Sequence, residues 1–82
     1  MLIGYVSDEC YVALPDTLVE FIGELDSWET RSRASGAVYA DVPPGPYEVI
    51  LARQGYGSKR VRMNVIEGRP YQFRLLADGL LG

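Results

Sequence analysis

The chain contains no histidine and a single cysteine, Cys10. Without histidine it has no side chain that titrates near neutrality, no usual zinc ligand, and no Ser-His or Cys-His dyad. One cysteine makes neither an intramolecular disulfide nor a thiolate metal site, so a disulfide-stapled secreted scaffold is excluded. The free thiol fits a reducing compartment such as the cytoplasm. No apolar run reaches the ~18 residues of a membrane span, and no basic leader with a cleavage site precedes the first strand-like segment. Neither membrane insertion nor a signal peptide is therefore expected. Helical periodicity is also missing: proline and glycine interrupt every window long enough for a helix.

What the chain does have is period-two alternation between turn signals. Eighty-two residues, 48% of them hydrophobic, suit one globular domain with a thin core. Alternating apolar and polar residues predict strands over 2–7, 17–22, 28–33, 37–42, 47–53, 59–65 and 71–75. The clearest stretch runs from Val42 to Tyr56. A turn at Pro43-Pro44-Gly45-Pro46 precedes Tyr47, Val49 and Leu51 on one face, and Gly55-Tyr56 turns the chain again. The segment Trp28-Glu29-Thr30-Arg31-Ser32-Arg33 is polar enough for an exposed edge strand whose charges resist edge-to-edge pairing. Seven short strands predict an all-β, antiparallel, Greek-key-like sandwich over residues 1–76, with 77–82 as an apolar tail or the start of a linker.

The ordered set of signals resembles the carboxypeptidase regulatory-like domain, a transthyretin-like (prealbumin-like) β-sandwich. Gly4-Tyr5-Val6, Val19-Glu20-Phe21, Gly36 before Val38, Pro44-Gly45-Pro46-Tyr47-Glu48-Val49-Ile50-Leu51, Gly55-Tyr56, and Gly68 before Phe73-Arg74-Leu75 carry the likeness. It departs at Ser35-Gly36, where the family has an Asp-Gly or Asn-Gly turn, and in a first loop, 9–15, that lacks glycine. The resemblance implies a non-catalytic accessory module beside another domain, here the N-terminal module of a larger protein. Such modules act in structural support, docking or protein association.

Charge is unevenly spread. Residues 1–50 hold nine acids against Arg31 and Arg33, whereas residues 51–82 hold six cations against Glu67 and Asp78. Arg60, Arg62 and Arg74 are candidates for one basic face, with Arg74 expected on the strand beside Arg60 and Arg62. The acidic balance (net charge −3) argues against nucleic acid as the partner. Loop carboxylates match no ordered cation-binding spacing, so neither metal nor cofactor is expected. The alternative function is carbohydrate binding through exposed aromatics: Trp28, Tyr39, Tyr56 and Tyr11 are candidate exposed aromatics, with Trp28, Tyr39 and Tyr56 the stacking candidates. Trp28 also fits a role capping one end of the core. Leu80 and Leu81 are candidates for a tail that docks on another domain, a protein partner or a second copy.

Overall fold

In the computed structural model, which describes residues 2–75, the seven expected strands form two sheets and no helix. They are β1 (Leu2–Ser7), β2 (Leu18–Ile22), β3 (Ser27–Arg31), β4 (Ala37–Ala40), β5 (Gly45–Ala52), β6 (Lys59–Val65) and β7 (Pro70–Arg74). One sheet has three strands in the order β4-β1-β7 and the other four in the order β3-β2-β5-β6. The tail residues Leu80 and Leu81 lie outside the described residues.

Alternation along each strand sends one set of side chains between the sheets. Leu2, Val6, Val38 and Phe73 come from the three-stranded sheet, and Val19, Phe21, Val49 and Leu51 from the four-stranded one. All are buried, and Leu14, Val42 and Leu75 close the ends of the same cluster. Tyr47 sits inward as its place in the alternation requires. Its ring meets Phe21 edge-on at 6.4 Å and Trp28 edge-on at 5.7 Å, and its hydroxyl donates to Pro43 O at 2.7 Å. A buried phenol is thus both packed and satisfied.

Three expectations need correction. The sheets are not wholly antiparallel: β1 pairs antiparallel with β4 but parallel with β7, Ile3 aligning with Pro70 and Ser7 with Arg74. The two strands are far apart in sequence, so the intervening chain is long enough to return and enter in the same direction. Second, Pro46 lies inside β5 rather than in a turn before it. Pairing between β2 and β5 ends at Ile22↔Glu48, so at Pro46 only β6 is alongside and no donor is needed on the β2 side. Third, Arg74 does not lie on a strand paired with β6, because β7 belongs to the other sheet.

The chain changes sheets between β3 and β4, and two residues make that crossing. Gly36 has φ 82°, and a Cβ there would lie 2.7 Å from Val6 O, so glycine is required on both counts. Ser32 ends β3 earlier than the alternation suggests by turning its side chain into the core. Its buried hydroxyl donates to Leu14 O at 2.6 Å and accepts from Thr17 N at 2.8 Å. Replacing it leaves Thr17 N without that partner and Leu14 O with only the longer bond from Thr17 Oγ1 at 3.4 Å. Ser32→Ala is expected to cost about 1–3 kcal/mol in urea denaturation; a loss below about 0.5 kcal/mol, the range of ordinary surface substitutions, contradicts this role.

Candidate docking surface

β1 has apolar residues on both faces. Leu2, Gly4 and Val6 point into the core, and Ile3 and Tyr5 point out, 39% and 45% exposed. The outer face of the three-stranded sheet is built around these two. The register sets Tyr39 of β4 opposite Ile3, with Pro70 of β7 on the other side, and Ala37 and Gln72 flank Tyr5 in the next row. Gly4, between them, lets the inner face close up, since a Cβ there would meet the Phe73 ring at 2.9 Å.

The loop after β1 extends this face. Asp8 Oδ1 accepts from Cys10 N at 2.8 Å and Val12 N at 2.9 Å, and the tight loop sets Tyr11 at φ 62°. That left-handed conformation costs a non-glycine residue about 1–2 kcal/mol. The result is an outward-turned ring, 66% exposed, sharing a shallow depression with Tyr5, Ser35 and Gln72. Val12 beside it is 58% exposed. Ile3, Tyr5, Tyr39 and Tyr11 therefore make one apolar, aromatic-rich surface.

Two arginines frame it. The Arg33 guanidinium lies 4.8 Å from the Tyr39 ring centroid, and that of Arg74 lies 4.6 Å from the Tyr11 centroid. Arg74 is further held by donating from Nη2 to Glu9 O at 2.8 Å. Each cation caps an aromatic ring and presents positive charge at the rim.

The residues singled out in the sequence scatter. Trp28 is half-buried at one end of the four-stranded sheet, its ring packed on Tyr47 beside a cleft of about 440 Å³ lined by Leu25 and residues 43–46. Tyr56 is half-buried at the opposite end, under Arg53 at 5.3 Å. Tyr39 is on the outer face of the other sheet. Arg60 and Arg62 share the outer face of β6, where Arg60 pairs with Glu48 at 2.7 Å. The expected basic face is thus divided: Arg74 lies across the molecule's other sheet, stacked on Tyr11. Ile3 and Tyr5 were not singled out, although the absence of any polar face in β1 was a visible sign; Tyr11, expected as an exposed aromatic, is one.

No family model matches the sequence, and no curated protein matches it significantly. Solved structures do share the fold. One is the Bacillus anthracis TIE protein, with a TM-score of 0.74 and 17% identity over 93% of this chain and 16% of that one. That likeness supports the two-sheet β-sandwich. The chain spans about a sixth of that protein's length.

The packing of Trp28 carries its own test. Trp28→Ala removes a half-buried ring from the Tyr47 cluster and is expected to destabilise the fold by about 2 kcal/mol, below the 3–5 kcal/mol of a fully buried aromatic. Thermal or chemical denaturation indistinguishable from wild type would show instead that the ring is free to serve as a platform.

Proposed function

We propose that this chain is a non-catalytic accessory module of the carboxypeptidase regulatory-like, transthyretin-like type, with Greek-key connectivity, that docks on another protein or domain through the outer face of its three-stranded sheet. The observation that carries this reading is the exposed aromatic surface of Ile3, Tyr5, Tyr11 and Tyr39. Isolated exposed apolar residues are ordinary; a contiguous group framed by polar side chains is characteristic of association surfaces. Aromatic residues and arginine are also the types that dominate binding energy at such surfaces. Tyr11 strengthens the case, since its left-handed backbone would be relaxed in glycine or asparagine.

The apolar centre and the arginine rim together suit a protein surface that offers apolar side chains and carboxylates. Carbohydrate binding is the competing reading. It draws less support because Trp28, Tyr39 and Tyr56 lie on three separate surfaces, and no two of them form a platform for one sugar chain.

In the natural protein, Tyr5→Glu places a charge at the centre of the face without touching the core. Stability is expected to change by less than about 0.5 kcal/mol, as for other surface substitutions. Binding to the co-purifying protein or adjoining domain is expected to fall at least about tenfold, the loss typical of a truncated anchor. Leu25→Glu, at a residue 95% exposed in a loop of the other sheet, should leave binding intact. Equal binding by wild type and Tyr5→Glu, or the same loss in Leu25→Glu, rules out this face.

A further inference from the structure

The four-stranded sheet ends in two open edges, β3 and β6. Bonding across an antiparallel pair alternates along each strand, so a few bonds decide which backbone groups face outward. At the two ends of the β2–β3 pair, Ser32 N donates to Thr17 O and Gly23 N donates to Asp26 O. The register between them makes Val19↔Thr30 and Phe21↔Trp28 the bonded pairs. The N–H and C=O groups of Ser27, Glu29 and Arg31 then face away from β2. Carried across β2 and β5, the same alternation leaves Arg60, Arg62 and Asn64 facing outward from β6. Two facts agree with it. Pro46, opposite Asn64, has no N–H to offer β6, and Asn64 O accepts from the Tyr71 hydroxyl on its outward side at 2.8 Å.

The two edges differ in charge: β6 carries three cations, whereas β3 carries the acid Glu29 and an Arg31 that is paired with Asp16 at 3.3 Å. Glu29 of β3 faces Glu20 across the ladder, and neither has an ion-pair partner among the described residues. Such like-charge neighbours are unfavourable. The β6 edge carries Lys59, Arg60 and Arg62, and Arg62 likewise has no ion-pair partner among the described residues. Strand directions alternate across the sheet, so β3 of an identically oriented copy runs antiparallel to β6. Glu29, Glu20, Ile50 and Arg60 form one row. Continuing that row places Glu29 of the second copy opposite Arg60 and diagonal to Arg62.

We propose that copies of this chain associate head to tail, β3 of one pairing with β6 of the next to continue the four-stranded sheet. The edge charges select this pairing. β6 against β6 sets arginines against arginines. β3 against β3 opposes Glu29 to Glu29, or to an Arg31 already engaged by Asp16 at 3.3 Å. The contact is heterologous, so it leaves one open edge at each end and extends with concentration unless it closes into a ring. Its surface is distinct from the aromatic face, and it stands independently of the docking reading.

Sedimentation of the full chain tests it. Wild type should grow in mass with concentration and shrink as salt is raised. Arg62→Pro blocks β6 and Glu29→Pro blocks β3, each at an outward N–H where proline removes no internal ladder bond. Each variant alone should be monomeric, and an equimolar mixture should form a dimer that grows no further. Circular dichroism checks that both remain folded. If either does not, Arg62→Glu and Glu29→Lys replace them, each expected to weaken association up to about fivefold, and for this pair self-association as strong as wild type is the overturning result. A wild type that stays monomeric at millimolar concentration, a single variant that still self-associates, or a mixture that does not pair overturns the proposal. Self-association kept in both proline variants but lost in Tyr5→Glu also overturns it, while leaving the aromatic face standing as a docking surface.

Discussion

Strand β1 is where distant parts of this chain meet, and the rest of the sandwich depends on its hydrogen bonds. Along its sides lie β4 and, in parallel, β7. At its end Val6 N donates to Gly36 O, Val6 O accepts from Leu14 N, and Ser7 O accepts from Leu75 N. One strand thus binds the first loop, the crossing between sheets, and the last described residue. Apart from the Val6–Leu14 bond, none of these contacts is local in sequence, so their ordering entropy is recovered only when the whole unit assembles. The small core allows little slack: Gly36 and Gly4 are held against Val6 O and the Phe73 ring closely enough to leave no room for a Cβ.

The same strand explains the difference between the two outer faces. A central strand with both faces apolar needs cover on both sides. The four-stranded sheet covers the inner face of β1, whereas Ile3 and Tyr5 on its outer face are covered only in part. The four-stranded sheet solves its outer face differently, with Glu20, Glu48, Arg60 and Arg62 among Leu18, Ile22 and Ile50. One outer face is therefore sticky and aromatic, whereas the other is charged and has its open hydrogen-bonding capacity at its edges.

Much of this was legible in the sequence, and the limits have a physical cause. Alternation reports which side of a strand a residue occupies, so the inward set Tyr47, Val49 and Leu51 and the full extent of β6 could be read directly. Turn chemistry located Gly36 and Gly55, both at positive φ. Alternation does not report which strand lies alongside. The parallel entry of β7 beside β1 therefore went unseen, and with it the true place of Arg74. Pro46 misled for a related reason, because whether proline fits a strand depends on a neighbour's length. Tyr39 and Tyr11 were both expected to be exposed; that they share a face with Ile3 and Tyr5 arises from pairing across the sheet and from the left-handed backbone at Tyr11.

The central claim is that β1 carries a surface meant to be covered. Hydroxyl-radical footprinting reads it directly, comparing the isolated chain with the same chain in cells expressing the natural gene. The account predicts that Tyr5, Tyr11 and Tyr39 are modified readily in the isolated chain and protected together in the cell, while Leu25 is modified equally in both. Equal modification of the three tyrosines in both settings would contradict it.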